Sequence, residues 1–241
     1  MNKSSIMIIS RVSILALALI MVLFFLFLFL RPTDSITAAD IEESMDAVSA
    51  DIDNAIKSDS NIGFSSNPYD YIGISPEYER LVSLGPNALP VIKTMIQDSP
   101  NGGLEMYILA TAAEEISKTY LKQIAFEDSG QTWGWATAKE WEKEFSVFVS
   151  ELPTRLTEIQ NSDLTSEEKL IKIETLGVMV IPLLIEEVRT GDEQYIPVIA
   201  ALLDETAPTE STKDLAKARQ NEIDWLSAIE SKYADVFEME L

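Results

Sequence analysis

The side chains that could carry acid–base chemistry in this chain are carboxylates, because the sequence contains no histidine and no cysteine. A Ser-His-Asp or Cys-His arrangement and a His-ligated zinc site are therefore excluded. Glycoside hydrolysis needs only two carboxyl groups, and Glu114-Glu115 and Glu186-Glu187 provide adjacent pairs. Neighbouring residues on a helix point about 100° apart, so each pair is more simply interpreted as solvated charge. We expect no catalytic residue, no cofactor and no metal, and a protein that is not an enzyme.

A candidate contact site for a partner or a glycan is the pair Trp133 and Trp135, which precedes a predicted helix. Thr137 followed by Glu140 has the spacing of a capping box, and the helix that it opens carries Trp141 on its buried face. Exposed aromatic side chains bury a large area with few rotatable bonds, so the pair could stack on a cell-wall sugar or anchor a protein. The alternative interpretation is that both indoles pack one end of the domain.

The helices around these side chains are predicted from a sequence motif that occurs twice, which we call the repeated phrase. A Leu-Gly dipeptide is followed, five residues after the glycine, by a proline: Gly85 and Pro90 in the first copy, Gly177 and Pro182 in the second. Glycine accepts the left-handed conformation that ends a helix, and proline in a first helical turn loses no hydrogen bond. Each copy is therefore predicted to contain a helix, a turn at the glycine and a second helix.

Local signals set the limits of these helices. Ser75 and Asn87 are predicted N-caps of the two helices in the first copy, and a further helix is predicted over about 104–118. Thr165 with Glu168 forms a capping box that opens the second copy. The starts of these helices are therefore predicted from capping residues, and the turns between them from Gly85 and Gly177.

Each copy continues into a partner helix of related sequence. Tyr107 and Ala112-Ala113 in the first copy correspond to Tyr195 and Ala200-Ala201 in the second. Small residues let a neighbouring helix approach closely, as stacked helix pairs require. The two copies are therefore predicted to be built and packed in the same way.

This combined pattern resembles HEAT-like repeats of the armadillo-type superhelical class. It is similar in particular to uncharacterised exported or membrane-anchored bacterial proteins that carry a Leu-Gly-x-x-Ala-Leu-Pro phrase. The resemblance covers about residues 75–120 and 166–204. It implies a solenoid of stacked helices that serves as a binding scaffold, and it implies no particular site.

Residues 1–31 are predicted to be a transmembrane signal-anchor. The apolar run over residues 12–30 would reach about 28 Å as a helix, close to the roughly 30 Å hydrocarbon core of a membrane. Lys3 and Arg11 precede the run and acidic residues follow it, which predicts a cytoplasmic N-terminus and an extracytoplasmic C-terminal domain. The alternative is a signal peptide that is cleaved near Ala39.

The rest of the chain is strongly acidic. All 40 acidic residues but only 15 of the 18 basic residues lie beyond position 31. Such a surface repels nucleic acid and anionic lipid headgroups, and it favours cations, basic partners or solubility. We therefore expect no nucleic acid among the partners.

Beyond the anchor the chain is predicted to be all-α. Residues 32–74 form an amphipathic helix and a loop, and residues 75–241 form the HEAT-like domain. The helix buries residues that step by three or four, namely Ile41, Met45, Val48, Ile52 and Ile56. Pro153 is predicted to kink a helix or to start a new one. A last helix opens near Ser211 and turns inward Leu215, Ala218, Ile223, Leu226, Ile229 and Tyr233.

These features predict a membrane-anchored, extracytoplasmic helical-repeat module that binds or scaffolds an unknown protein or cell-wall partner. The alternative is a carboxylate-based cell-wall glycan hydrolase. The sequence offers no recognisable pair of carboxylates in apolar surroundings, which favours the binding module.

Overall fold

The computed structural model describes residues 36–65, 68–100, 102–122, 135–208 and 215–239. These residues form helices and turns with no strand among them, which confirms the predicted all-α class. Among the described helices, none combines the length and the apolarity needed to cross a membrane. The predicted span over residues 12–30 lies outside the described residues, and so does Trp133.

Residues 36–241 belong to one compact unit. Its described α-helices are α1 Ala38–Ser58, α2 Pro68–Ile72, α3 Glu77–Val82, α4 Leu89–Asp98, α5 Leu104–Ser117, α6 Ala138–Asn161, α7 Ser166–Glu174, α8 Ile181–Thr190, α9 Ile196–Leu203, α10 Leu215–Lys232 and α11 Ala234–Phe237. Short 3-10 helices cover Ile62–Phe64, Pro86–Ala88, Val178–Val180 and Glu193–Tyr195. Apolar side chains from α1 to α11 meet in one continuous core.

Helix α1 is the predicted amphipathic helix, and it belongs to this core. Ile41 and Val48 are fully buried, and α1 packs against α3 and α4. Its start is fixed by a capping box that the sequence analysis missed. Thr37 accepts the N–H of Asp40 at 3.4 Å, while the Asp40 carboxylate accepts the N–H of Thr37 at 2.7 Å.

The two copies of the repeated phrase share an unusual backbone geometry. Gly85 has φ 71° and ψ −171°, and Gly177 has φ 78° and ψ −172°. Positive φ explains the need for glycine, but the predicted left-handed helical conformation is wrong because ψ is extended. In both copies a 3-10 helix follows the glycine, and a ten-residue helix follows with proline in its first turn.

Two predicted caps in the first copy are wrong. Ser75 is buried and its hydroxyl donates to Asp51 at 2.9 Å instead of capping α3. Asn87 lies inside the 3-10 helix, and α4 has no side-chain cap. The 3-10 helix runs directly into α4, so the Leu89 N–H already bonds to the Pro86 carbonyl and needs no side-chain acceptor.

The partner helices of both copies, α5 and α9, end in the same way. Lys118 and Asp204 adopt left-handed conformations with φ 54° and 53°. The Lys118 ammonium donates to the Ala201 carbonyl at 2.8 Å and to the Asp204 carboxylate at 2.9 Å. The end of α5 is therefore bonded to the end of α9.

The alanine pairs of the two copies do not occupy equivalent places. Ala113 lies five residues before the cap of α5, whereas Ala201 lies three residues before the cap of α9. Ala112 and Ala113 are buried, but Ala201 is exposed. Counted from the two C-caps, the alanine pairs are therefore offset by two residues and do not occupy equivalent positions.

The junction between the copies lies at Gly177. A Cβ atom at this position would lie 2.2 Å from the Thr119 hydroxyl oxygen and 2.5 Å from the Ser117 carbonyl oxygen. Thr119 also donates a hydrogen bond to the Leu176 carbonyl at 3.4 Å. A Cβ atom at Gly85, by contrast, would meet no atom within 4 Å. The two glycines therefore share a conformation but not an environment.

Helix α6 connects the two halves of the unit. It packs against α4 and α5 of the first copy and against α7 and the 3-10 helix of the second. Its predicted apolar face is confirmed, since Trp141, Phe145 and Leu152 are at most 2 % exposed. Pro153 lies inside the helix, which continues to Asn161, so the predicted alternative of a new helix start is wrong.

The start of α6 differs from a complete capping box. Thr137 accepts the Glu140 N–H at 3.1 Å, as predicted. The Glu140 carboxylate accepts the N–H of Ala136 at 2.7 Å rather than that of Thr137. The capping box of α7, between Thr165 and Glu168, is confirmed with both of its hydrogen bonds.

The C-terminal helices close the unit. Leu226 and Ile229 of α10 and Tyr233, the N-cap of α11, are buried as predicted, but Ile223 is 40 % exposed. The side chains of Leu215 and Ala218 lie outside the described residues. Helix α11 packs against α4 and against the 3-10 helix over 86–88, so the end of the chain returns to the first copy.

Candidate functional site

A group of three aromatic rings encloses one ammonium group beside α5. Tyr107 and Trp135 pack with ring centroids 4.1 Å apart, and the Lys122 Nζ lies 4.8 Å from the Trp135 centroid. The same Nζ lies 5.1 Å from the ring of Tyr69 and 5.9 Å from that of Tyr107. All three distances are those of cation–π contacts. We call Tyr69, Tyr107 and Trp135 the aromatic cage.

Each wall of the cage comes from a different element. Tyr69 lies on α2, Tyr107 lies in α5, and Trp135 precedes α6. Lys122 donates to the phenol oxygens of Tyr69 at 3.3 Å and of Tyr107 at 3.4 Å. Burial opposes the charge, but these hydrogen bonds raise the pKa of Lys122 above its ordinary value. The group inside the cage is therefore an ammonium ion at neutral pH.

Glu114 lies close to the cage and is 4 % exposed. The Leu121 N–H donates to its carboxylate at 3.3 Å. Burial raises the pKa of Glu114, while the Leu121 hydrogen bond and the Lys122 charge act to lower it. The indole N–H groups of Trp135 and Trp141 also act to lower it, although neither reaches hydrogen-bond geometry. The prediction that Glu114 is a solvated charge is therefore wrong.

The neighbouring carboxylate does not share this environment. Glu115 accepts a hydrogen bond from the Tyr78 hydroxyl at 2.9 Å. Burial, followed by the negative charge of Glu115, raises the pKa of Tyr78 above its ordinary value. Glu114 and Glu115 are thus held by different partners and do not face one substrate-sized space together.

The other adjacent pair, Glu186 and Glu187, lies on α8, which corresponds to α4 rather than to α5. Glu186 pairs with Arg189 at 2.6 Å, and Glu187 accepts from Gln160 at 3.3 Å. Within the described residues, no group of three or more Asp or Glu side chains could hold a metal ion. Glu186 is exposed and matches the predicted solvated charge, whereas Glu187 is half-buried and does not.

A cleft of about 440 Å³ opens beside the cage, between the beginnings of α5 and α6. Leu104, Tyr107 and Trp135 form its apolar lining, and Thr137 contributes a hydroxyl. The remaining lining residues are Pro68, Gly102, Gly103, Ala136 and Ala138. Because its lining glycines carry no side chain, the backbone before α5 borders the cleft directly.

Trp135 lines this cleft but is only 3 % exposed. Tyr107 covers the indole, so Trp135 does not present an open face on which a sugar ring could stack. Its predicted partner in the site, Trp133, lies outside the described residues. The contact role of the pair stays a prediction, and the stacking geometry that motivated it is absent at Trp135.

A second cleft, of about 380 Å³, lies beside the corresponding tyrosine of the second copy. Tyr195 accepts a hydrogen bond from Gln160 at 3.2 Å, and the Lys169 ammonium donates to the Gln160 carbonyl at 2.7 Å. Burial raises the pKa of Tyr195 above its ordinary value. The lining is mainly polar, and it comprises Gln160, Ser166, Lys169, Leu170, Glu187, Asp192, Gln194 and Tyr195.

Several residues of the site were missed by sequence reasoning. Tyr107 carried a signal in the sequence, because a tyrosine, Tyr195, recurs at the corresponding place of the second copy. Glu114 carried none, because it is brought to the cage by the packing of α5 against α2 and α6. Lys122, which lies beyond the end of α5, carried none because its partners Tyr69 and Trp135 come from other elements.

No protein family model matches the chain, and neither a curated protein nor a solved structure matches it. The resemblance to HEAT-like repeats therefore depends on the repeated phrase in the sequence. The matching geometry at Gly85 and Gly177 agrees with that phrase at the level of the backbone.

Proposed function

We propose that this chain is a membrane-anchored, extracytoplasmic helical-repeat module that binds and positions a protein of the cell envelope. The observation that carries the proposal is the cleft of about 440 Å³ between α5 and α6. Its lining combines apolar side chains with accessible backbone, which suits an extended or helical segment of a partner. A protein partner is favoured over a glycan because the face of Trp135 is covered.

The repeat architecture supports the same function. The two copies are joined by the Lys118–Asp204 ion pair and by the close contact at Gly177, as stacked repeats would be. Helical repeats of this kind present extended surfaces and carry little catalytic chemistry of their own. The HEAT-like classification is part of the proposal.

The anchor is the second part of the proposal. The apolar run over residues 12–30 and the positive charges at Lys3 and Arg11 support it. A protease added to protoplasts should digest the chain beyond about residue 35 and leave a short protected fragment. Full protection would contradict this orientation, and a mature chain that begins near Ala39 would replace the anchor by a cleaved signal.

One observation favours the alternative, a carboxylate-based wall hydrolase. Glu114 is a buried carboxyl group whose pKa is raised by burial, as the general acid of a glycosidase requires. Glu114 lines neither described cleft, however, and its neighbour Glu115 is bonded to Tyr78. Incubation with purified cell wall tests this alternative, and release of reducing sugar that Glu114→Gln abolishes would favour it.

The binding function is tested by cross-linking in intact cells. A photoreactive residue at Leu104, which lines the cleft and is 38 % exposed, should capture an envelope protein. The matched control is Val147, which is 44 % exposed on α6 and does not line the cleft. Equal capture from both positions, or none from Leu104, would contradict the proposed surface.

A further inference from the structure

We propose that the aromatic cage is a binding site for the ammonium group of a partner lysine, and that Lys122 occupies it in the free protein. This inference rests on the proposed binding function and names the chemistry that the partner presents. Three rings from separate elements surround one ammonium group at 4.8 to 5.9 Å. Aromatic rings attract a lysine ammonium, and cages of this kind are known sites for quaternary ammonium ligands such as choline and methyl-lysine.

The cage provides more than cation–π attraction. The two phenol oxygens accept hydrogen bonds from the ammonium group, and the carboxylate of Glu114 attracts it from inside the fold. A lysine ammonium has three N–H donors, so the two phenols leave one donor available for other contacts. The site therefore matches a primary ammonium group, which is the group that fills it.

An external lysine can reach this cage. Tyr69, which forms one wall, is 44 % exposed, so the cage lies at the protein surface. Tyr107 and Trp135 also line the 440 Å³ cleft, so a segment bound in the cleft passes next to the cage. The formal net charge of −22 attracts basic segments and orients them toward the protein.

Lys122 then acts as an internal competitor. A side chain tethered beside its site has an effective concentration in roughly the millimolar range, so it displaces weak free ligands. A partner segment that is also bound in the cleft overcomes this competition. Once the segment is bound, its lysine has a similarly high effective concentration beside the cage. A ligand that binds only the cage binds weakly until Lys122 is removed.

The test uses the detergent-solubilised full-length protein and Nα-acetyl-lysine methyl ester as the probe. Lys122→Ala should bind the probe at least about tenfold more tightly than the wild-type chain, measured by calorimetry and tryptophan fluorescence. The probe whose side-chain amine is acetylated should not bind. Adding Tyr69→Leu, at an exposed wall of the cage, should remove the gain. Lys57→Ala, which removes an exposed lysine elsewhere, should leave affinity unchanged.

A second measurement avoids dependence on the folding of Lys122→Ala. In the wild-type chain, Nα-acetyl-lysine methyl ester supplied above the roughly millimolar effective concentration of Lys122 should displace Lys122 and increase its acetylation by an amine reagent, measured by mass spectrometry. A folded Lys122→Ala protein with unchanged affinity, or an equal response to the acetylated probe, would overturn the inference. Binding of phosphatidylethanolamine vesicles in place of the probe would also overturn it. Capture from Leu104 is independent of these outcomes.

Discussion

Gly177 and Gly85 share a positive φ, but only Gly177 is also restricted by neighbouring atoms. Both require a positive φ, so replacing either by alanine should cost about 1 kcal/mol from backbone strain. At Gly177 the added methyl group also meets the end of α5, which should add about 2 kcal/mol. Urea unfolding of Gly177→Ala and Gly85→Ala measures the difference. Equal losses would show that the junction opens freely.

Glu114 should make stability depend on pH in a direction opposite to that of a salt-bridged carboxylate. Burial raises its pKa, so the folded protein binds the proton more tightly than the unfolded chain. The contribution of Glu114 to stability is therefore complete below its ordinary pKa of 4.5 and is lost as pH rises through the raised value. Glu114→Gln removes this loss.

We expect the advantage of Glu114→Gln over wild type, measured as the free energy of unfolding, to grow between pH 4.5 and 8. Screening of the acidic surface affects both proteins equally and cancels in the difference. Glu158→Gln, at an exposed position on α6, is the matched control and should show no trend. A flat difference for Glu114→Gln would mean that water reaches the carboxylate.

The sequence predicts the backbone conformation of individual residues, but it does not predict which other residues surround them. The positive φ at both glycines follows from their residue type and their position after leucine. The burial of Glu114 does not, because α5 is enclosed by other helices and an acidic pair gives no sign of it. The lysine in the aromatic cage was missed for the same reason.

Helix α6 continues through a proline, which local sequence preference would not predict. Pro153 lacks the N–H that would bond to the Val149 carbonyl, yet the helix runs on to Asn161. Burial of Trp141, Phe145 and Leu152 against both copies stabilises it beyond what local preference allows. Tertiary packing therefore outweighs the proline.

Pro153→Ala should consequently stabilise the protein. The change restores one helical hydrogen bond at an exposed position and should raise the free energy of unfolding by about 1 kcal/mol or more. Thermal unfolding measures the gain, and Thr154→Ala, at the exposed neighbouring position, should change it by less than about 0.5 kcal/mol. A loss of stability in Pro153→Ala would show that α6 needs a bend at this point.

Helix boundaries were predictable where the signal lies within four residues. The capping box at Thr165 and Glu168 involves only local hydrogen bonds, and the structure contains it. Ser75 carries the same type of signal, but its hydroxyl bonds to Asp51, 24 residues away. A hydroxyl that has both a local and a distant partner cannot be assigned from sequence spacing alone.

The fold of the unit also depends on contacts that its first and last described helices make with the first copy, which no repeated phrase predicts. Helix α11 packs against α4 and the 3-10 helix over 86–88, so the last residues cover the second helix of the first copy. Helix α1 packs on α3 and α4 from the other terminus. The first copy is therefore covered by non-repeated helices, as a terminal unit of a repeat array would be.

Because α11 packs against α4, Val236 should affect the stability of helices that are distant from it in sequence. Val236 on α11 is fully buried, whereas its neighbour Asp235 is exposed. Val236→Ala should lower the free energy of unfolding by about 2 kcal/mol, and Asp235→Ala should change it by less than about 0.5 kcal/mol. Because α11 covers α4, amide hydrogen exchange in α4 should also become faster in Val236→Ala. Faster exchange confined to residues 234–239 would instead show that the C-terminal helix opens without affecting the first copy.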